Sequence, residues 1–265
     1  MALSVSLITV VRNDLNGLRK TADSVKKFTD LFTAHSGVVE WIVVDGNSSD
    51  GTAEFAVRDA CGLDRDLVRA TSERDAGLYD AMNKGTRRAR FDWCWYMNAG
   101  DSICDLSSKE MSIFVEALVN GGDNILCFGC RRIGQRGNLA IMPREMGYLS
   151  YSLPTSHQAM LFPRVAAQGA LYSLNYSLCA DYEFACRLWS QGNQFKPIRV
   201  VLAEFLHNGY SSQHPFKLIN EAARVQRQLL RLSYPLIVAM SLRRCVSLMA
   251  TKMLDFIAFN AAPAK

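Results

Sequence analysis

Residues 72–85 read Ser-Glu-Arg-Asp-Ala-Gly-Leu-Tyr-Asp-Ala-Met-Asn-Lys-Gly, and the candidate core elements lie on either side of this stretch. A strand-like run precedes it and ends in Asp45, and an apolar run follows it and leads to Asp101. Asp75 lies within the stretch itself. In an open α/β sheet, ligands bind beyond the carboxyl ends of the strands. Carboxylates delivered to that edge suit a metal-bound phosphate compound.

Strands and helices alternate on both sides of this stretch. Residues 4–11 alternate in polarity and are rich in β-branched side chains, which predicts a strand, and residues 16–32 show helical spacing. The apolar run at 41–44 predicts a strand covered on both faces, and residues 77–90 predict a helix. We therefore predict an α/β fold with a mainly parallel central sheet flanked by helices. Farther along, a pair of strands is predicted over residues 195–205.

Composition narrows the class of protein. The chain has 265 residues, of which 49% are hydrophobic, and a net charge of +5, as expected of a globular protein. A dedicated nucleic-acid binder usually shows a clustered basic face, so no nucleic-acid partner is expected. The first residues lack the basic and apolar regions of a signal peptide, and no apolar run approaches the roughly 20 residues that span a bilayer. These features predict a cytoplasmic protein.

Eight cysteines in a chain without an export signal predict free, buried thiols. Cys127 and Cys130 have the spacing of half a metal site or of a redox pair. However, they lie in an apolar run, and the sequence has no second Cys-x-x-Cys pair to complete four ligands. Strand packing is therefore preferred for this pair.

The last part of the chain differs in character, and we divide the protein into a main domain, residues 1–214, and a helical tail, residues 215–265. Pro235 divides the tail into two predicted helices. Arg224, Arg227 and Arg231 recur at spacings that place them on one helix face. Such a basic amphipathic helix is typical of proteins that lie on an anionic membrane surface. The alternative is a helix that packs on the domain and leaves its arginines in solvent.

Six sequence blocks stand out in order along the chain: residues 6–13, 41–52, 72–85, 97–101, 156–159 and 181–184. Together they resemble the family 2 glycosyltransferases, and within that family the branch that builds colanic acid and capsules. The likeness extends to about residue 230. It implies a GT-A fold, a nucleotide-diphosphate sugar as donor, Mg²⁺ or Mn²⁺ as cofactor, and inversion at the anomeric carbon.

The resemblance assigns donor-binding roles to residues in the first blocks. Asp45 would hold the base or ribose, and Asp75 would lie beside the ribose and the donor sugar. Many relatives carry a second acid next to the first, where this chain has Gly46. That difference leaves GDP sugars, GDP-fucose among them, open beside UDP sugars. The remaining residues assigned to the donor are Thr9, Val11, Arg12, Tyr79, Asn83 and Lys84.

Some of these residues also have simpler interpretations. Arg12 could be a surface charge, and Tyr79 could belong to the core. Lys84 follows Asp80 by four residues, the spacing of an ordinary helix ion pair.

The metal would be held at the end of the fourth strand. Transfer from a nucleotide diphosphate leaves a charged diphosphate that a divalent cation can neutralise. Relatives often carry Asp-x-Asp at this point, and this chain has Asn98-Ala99-Gly100-Asp101. Asp101 would be the metal ligand and Asn98 would contact the ribose or a phosphate. His207 would reach the diphosphate or the metal from the end of the domain.

Inverting transfer needs a general base for the acceptor hydroxyl. Asp181 matches the family's acidic motif and is the predicted base. Its alternative role is a helix N-cap. Glu183, two residues on, would point elsewhere on a helix. His157 and Gln158 match a block near the acceptor pocket.

The predicted enzyme adds one sugar to a lipid-linked oligosaccharide in exopolysaccharide, capsule or O-antigen assembly, at the cytoplasmic face of the inner membrane. Its partners would be the nucleotide-sugar donor, the lipid-linked acceptor and the membrane surface. Two alternatives stay open. A nucleotidyltransferase would share a similar sheet and metal, although the loop after the first strand lacks the glycines that cradle a triphosphate. A non-catalytic nucleotide-sugar-binding subunit would need the binding residues alone.

Overall fold

The computed structural model describes residues 3–58, 63–134, 137–206 and 213–260, without the side chains of Leu248 and residues 250–260. His207 lies outside the described residues. The helices are α1 Leu15–Thr33, α2 Thr52–Arg58, α3 Leu78–Arg88, α4 Ser108–Val119, α5 Arg164–Ala170, α6 Ala180–Ser190, α7 Pro215–Gln228 and α8 Tyr234–Asn260. The strands are β1 Leu3–Val11, β2 Gly37–Asp45, β3 Val68–Ser72, β4 Trp93–Asn98, β5 Ser102–Ile103, β6 Ile125–Gly134, β7 Gly137–Ile141, β8 Met160–Pro163 and β9 Phe195–Leu206.

Within the described part of the chain, the nine strands form one sheet in the order β3-β2-β1-β4-β8-β6-β9-β5, and β7 pairs with β6. Strands β3, β2, β1 and β4 are mutually parallel, and so are β6 and β9. Strand β8 runs antiparallel to both of its neighbours and joins the two parallel groups. The predicted α/β fold with a mainly parallel sheet flanked by helices is confirmed.

Each face of the sheet is covered by helices. On one face, α1 and α4 bury aromatic and aliphatic side chains such as Phe28 and Phe114 against Trp95. On the other face, α3 packs closely on β1 because Gly85 has no side chain. A Cβ atom there would lie 2.4 Å from Ile8 Cγ2. This close packing fixes the amino-terminal end of α3 above the carboxyl ends of the strands.

One predicted pair of strands differs from the structure, and the cysteine prediction agrees with it. Residues 195–205 were expected to form a pair of strands broken at Pro197, but the chain forms one strand, Phe195–Leu206, with irregular pairing to β6. Pro197 is tolerated because the sheet register shifts near its partner Cys127. The Cys-x-x-Cys pair lies buried in β6, and the seven cysteines in the described residues are all free thiols.

The first tail helix packs on the domain. In α7, the side chains of Ala222, Val225 and Gln226 are buried, and they lie against α6 and the loop before it. Because α7 ends at Gln228, Arg231 lies beyond the helix and does not share a face with Arg224 and Arg227 as expected. No helix within the described residues is long and apolar enough to span a bilayer.

Candidate active site

Four parallel strands end level at one edge of the sheet. Val11 of β1 pairs with Asp45 of β2, Asp45 pairs with Ser72 of β3, and Val10 pairs with Asn98 of β4. Because these strands end together, the loops that follow them meet at one edge. The strand ends and the loops after them carry six of the residues that the sequence assigned to the donor and the metal: Val11, Arg12, Asp45, Asp75, Asn98 and Asp101.

Asp45 holds two of these loops together. Its side chain is almost fully buried and accepts hydrogen bonds from the Ser48 backbone N–H at 3.0 Å and from the hydroxyls of Ser48 and Ser72. Asn13, in the loop after β1, donates its backbone N–H to Ser48 Oγ at 2.7 Å. Asp45 thus fixes the loops after β1, β2 and β3 to one another.

Gly46 leaves the space that the Asp75 carboxylate occupies. A Cβ atom on Gly46 would lie 2.5 Å from Asp75 Oδ2 and 3.3 Å from the Cβ and Cδ atoms of Arg12. Asp75 Oδ1 also accepts the Gly77 backbone N–H at 2.9 Å, at the start of α3. Arg12 and Asp75 are therefore neighbours around Gly46, where relatives of the predicted family often have a second acid.

Two residues assigned to the donor are engaged elsewhere. Thr9 is fully buried, and its hydroxyl accepts a hydrogen bond from Trp41 Nε1 at 2.9 Å. Asn83 is 3% exposed, and its amide bonds both the N–H and the carbonyl of Tyr172. Both side chains hold core partners in the folded protein, and a donor contact by either one stays a prediction. Asn83 anchors the segment that carries Tyr172.

The other two residues on α3 lie nearer to the predicted site. Lys84 donates to the Arg74 carbonyl at 2.5 Å and lies 3.6 Å from Asp80, which ties the segment before α3 to the helix. The Tyr79 hydroxyl donates to Asp181 Oδ1 at 3.4 Å, and its ring stacks on Tyr172. Burial, with the nearby charge of Asp181, raises the pKa of Tyr79 well above its ordinary value, so the hydroxyl stays protonated.

Asp101 is paired with Gln158. Gln158 Nε2 donates to Asp101 Oδ2 at 2.8 Å. Burial raises the pKa of Asp101, and the Gln158 hydrogen bond and the charges of His157 and Lys20 act in the opposite direction. Lys20 donates to the Gly100 carbonyl at 2.9 Å, which places its ammonium group beside this loop.

His157 contacts the predicted base. Its Nδ1 lies 3.6 Å from Asp181 Oδ2, and its Nε2 is buried without a hydrogen-bond partner among the described residues. Helix α6 begins at Ala180 with Cys179 as its N-cap, so Asp181 is not the N-cap that its alternative role required. Asp181 lines a cavity of about 150 Å³ together with Leu153, Cys179 and Arg244. Glu183 forms an ion pair with Arg187 at 2.9 Å and is not among the residues that line this cavity.

Glu221 of α7 organises the loop that leads to Asp181. Its carboxylate accepts the backbone N–H groups of Ser177, Leu178 and Cys179, at 3.1, 2.9 and 3.0 Å, together with the Ser177 hydroxyl. Burial alone would raise the pKa of Glu221, but the hydrogen bonds from Leu178 and Ser177 outweigh it and lower the pKa. The tail therefore supports the start of α6.

Asp101 and Asn98 have the chemistry to hold a hard cation. The Asn98 amide oxygen is buried without a hydrogen-bond partner among the described residues, and carboxylate and amide oxygens are the ligands that Mg²⁺ and Mn²⁺ prefer. Within the described ranges no group of three or more His, Cys, Asp or Glu side chains could enclose a metal ion. The residues therefore fit a cation that completes its shell with phosphate oxygens and water.

The sequence model of glycosyl transferase family 2 matches residues 6–173, which include all the strand ends described above. The chain belongs to this family. It is 31% identical over 218 residues to the uncharacterized glycosyltransferase Rv1514c of Mycobacterium tuberculosis, covering 80% of this chain and 78% of that protein. The PGL/p-HBAD biosynthesis glycosyltransferase Rv2957 of the same organism is 30% identical over 162 residues, 58% of this chain and 59% of the relative.

Solved structures with the same fold confirm the predicted GT-A architecture. Staphylococcus aureus TarS, residues 1–349, superposes with a TM-score of 0.63 at 13% identity, over 94% of this chain and 73% of that one. The mannosyltransferase PcManGT of Pyrobaculum calidifontis, solved with GDP-Man and Mn²⁺, superposes with a TM-score of 0.60 at 18% identity, over 97% of this chain and 80% of that one. At these identities the likeness shows the fold alone.

Three residues at the site were not found from the sequence. Glu221 has a recognisable signal, because it is an acid on the apolar face of α7 beside Ala222 and Val225. A buried acid on such a face needs hydrogen-bond donors. Lys20 and Arg244 carry no such signal. Each is a basic residue in a predicted helix, and nothing in the sequence around it indicates that its side chain reaches the site.

Proposed function

We propose that this protein transfers one sugar from a nucleotide-diphosphate sugar to a lipid-linked oligosaccharide, with inversion, in the assembly of exopolysaccharide, capsule or O-antigen. One observation carries the proposal. His157 and Gln158, consecutive in the chain, contact Asp181 and Asp101 respectively. A candidate base and a candidate metal ligand are therefore held at a fixed spacing, as coupling between a donor and an acceptor requires.

The donor would lie across the ends of β1, β2 and β4. Arg12 and Asp75, neighbours around Gly46, would contact the nucleoside, while Asp45 and Lys84 would hold the surrounding loops in place. The Val11 carbonyl accepts the Gly46 N–H at 2.8 Å, which keeps the backbone of this pocket in register. These contacts within the chain hold the pocket backbone in place, and a fixed backbone needs little ordering on binding.

Asp101 and Asn98 would hold Mg²⁺ or Mn²⁺ against the diphosphate. When bound, the cation would neutralise the charge of the departing nucleoside diphosphate. His207, which lies outside the described residues, would be a further contact to the diphosphate or the cation. Lys20, adjacent to the Asp101 loop, would add positive charge at the same place.

Asp181 would take the proton from the acceptor hydroxyl as that oxygen attacks the anomeric carbon from the face opposite the diphosphate. Tyr79 stays protonated and donates to the carboxylate, which orients it. His157 would hold the second oxygen of Asp181, and Gln158 would hold Asp101. One base that acts on the acceptor hydroxyl is what a single in-line displacement with inversion needs.

The donor would carry either a uridine or a guanosine diphosphate. Gly46 replaces the acid common in relatives, and its lack of a side chain accommodates the Asp75 carboxylate. TarS has been solved with UDP-GlcNAc and PcManGT with GDP-Man, so this fold takes either base. We favour a GDP sugar, GDP-fucose included, and assign the protein to the colanic acid and capsule branch.

The acceptor is proposed to reach the site at the cytoplasmic face of the inner membrane. Helix α8 exposes large apolar side chains, Leu242, Val246 and Met249 among them, and these would contact the bilayer surface. Helix α7 packs on the domain, so the membrane contact is assigned to α8 alone.

Thermal-shift measurements against UDP, GDP, dTDP and CMP with Mn²⁺ test the donor. A ligand that binds the native protein raises the melting temperature by mass action. Slow hydrolysis of the matching nucleotide sugar would then support a transferase. Nucleotide binding without hydrolysis or transfer would favour a non-catalytic subunit, and pyrophosphate release from a nucleoside triphosphate and a sugar phosphate would favour a nucleotidyltransferase. If none of the nucleotides shifts the melting temperature, the proposal fails.

A further inference from the structure

An open cavity of about 600 Å³ lies between the segment before β8 and helix α8. We name it the arginine–tyrosine groove and define it by Arg144, Tyr148, Tyr151, Leu236 and Arg243. Donor binding and the proposed base use none of these residues.

The groove is built from stacked cations and rings. The Arg144 guanidinium lies 4.6 Å from the Tyr148 ring centre, and Tyr148 contacts Tyr151 edge to face at 5.5 Å. Arg243 and Arg244 lie 5.1 and 4.7 Å from the Tyr151 ring centre. Stacking holds each guanidinium plane on a ring and leaves N–H groups at its edge for an oxyanion.

These positive charges have no acidic partner in the part of the chain that the structure describes. Among the described residues, no carboxylate lies within salt-bridge distance of Arg144, Arg243 or Arg244, although Glu145 also lines the groove. Arg144 and Arg243 both line the groove, and Arg244, which donates to the Tyr151 carbonyl, adds positive charge beside it. An anion in the groove would therefore be attracted by these cationic side chains. A phosphate or diphosphate matches such a set of planar donors.

The groove adjoins the cavity that holds Asp181. Arg244, stacked on Tyr151, also lines that second cavity, and Ser152 follows Tyr151 into it. Gln226 Nε2 donates to the Ser150 carbonyl at 3.0 Å, which fixes this segment to α7. A group held in the groove would therefore be directed toward the proposed base.

We propose that the arginine–tyrosine groove binds the phosphate or diphosphate of the lipid-linked acceptor, so that its glycan extends toward Asp181. Leu236 lines the groove, and α8 continues with exposed apolar side chains on which the lipid chain would lie. This inference rests on the proposed function and names the feature by which that site recognises its acceptor.

Calorimetric titration with geranyl diphosphate tests the groove directly, with the donor site saturated by the nucleoside diphosphate that stabilises the protein. We expect Arg243→Gln and Arg144→Gln, on opposite walls, each to weaken binding at least about ten-fold, the effect of one lost charge-assisted contact. Arg199→Gln, an exposed arginine on β9 outside the groove lining, serves as the matched control and should bind as the wild type does. Geraniol, which lacks the phosphates, should bind far more weakly.

Unchanged affinity in both groove variants, or equal affinity for geraniol, would overturn the proposal. The same variants are also tested for binding to phosphatidylglycerol vesicles. If they lose vesicle binding but bind geranyl diphosphate as the wild type does, the proposal is overturned, because the groove would then bind membrane headgroups. Circular dichroism melting identifies a variant that fails to fold. In that case the affinity of the variant on the opposite wall of the groove tests the proposal. Nucleotide thermal shifts are read separately, so a protein that binds GDP or UDP but not geranyl diphosphate refutes the groove and leaves the transferase proposal standing.

Discussion

His157 Nδ1 lies 3.6 Å from Asp181 Oδ2, across the boundary between the turn before β8 and helix α6. The neighbouring Gln158 binds Asp101 on the other side of the same turn. Because two consecutive residues hold the two acids, a shift in this turn would move both together. The spacing of the proposed metal ligand and base is thus set by a two-residue segment of the backbone.

Asp181→Asn should keep nucleotide binding and lose sugar transfer by about 10²- to 10⁴-fold, the usual contribution of a general base. The amide keeps the size of the side chain but does not accept the acceptor proton. Transfer kinetics and nucleotide thermal shift measure the two effects. Asp105→Asn, at an exposed acid paired with Lys27, is the control and should retain full transfer. Full transfer by Asp181→Asn would exclude Asp181 as the base.

Asp101→Asn should weaken Mn²⁺-dependent nucleotide binding by roughly 10- to 100-fold, because a neutral amide replaces a charged ligand. Binding in EDTA should change little. Titration of the protein with nucleotide at fixed Mn²⁺ gives both values. If Mn²⁺ dependence is the same as in the wild type, the cation is held by other groups.

Nucleotide binding with Mn²⁺ should also be lost as the pH falls, since only ionised Asp101 binds a cation. Burial raises the pKa of Asp101, so the protonated form persists to a higher pH than in an exposed aspartate. Gln158→Leu removes a hydrogen bond that lowers this pKa, and the midpoint of the loss should therefore move upward. Affinities measured across the acidic range check the direction; a midpoint that moves downward contradicts it.

Gly46→Ala should impair donor binding while the protein stays folded. The new Cβ would meet Asp75 Oδ2 at 2.5 Å, and a terminal carboxylate can move aside without disturbing the core. We expect a change of about 1 kcal/mol or less in the free energy of unfolding and a several-fold weaker nucleotide affinity. Gly169→Ala, where a Cβ meets nothing within 4 Å, is the matched control. Equal nucleotide affinity in both variants would remove Asp75 from the donor site.

Glu221→Gln should destabilise the protein by roughly 1–3 kcal/mol, because an amide cannot accept all the N–H groups that the carboxylate binds. The lowered pKa of Glu221 means that its contribution is present above the ordinary glutamate value and is lost as the pH falls through the folded-state pKa. Denaturant unfolding at neutral and acidic pH should show the variant's deficit shrinking in acid. Glu116→Gln, an exposed acid on α4, provides the comparison.

The sequence predicted the sheet, its helices and the edge where the site lies, because apolar runs and turn residues are local signals. It also predicted that Asp101 and Asp181 belong to one site, through the family resemblance. It gives no sign that Trp41 and the Tyr172 backbone take the hydrogen bonds of Thr9 and Asn83, two residues predicted to bind the donor. Partnerships of that kind depend on tertiary contacts between distant segments.

The support that Glu221 gives to the loop before Asp181 bears on the order of events during synthesis. Residues 6–173 contain the strand ends and the family signature, yet the carboxylate that fixes the Ser177–Cys179 backbone emerges from the ribosome only with α7. A nascent chain would thus acquire the proposed nucleotide pocket before the proposed base, Asp181, is held in place. The protein would become competent for transfer only when its carboxyl-terminal segment had docked.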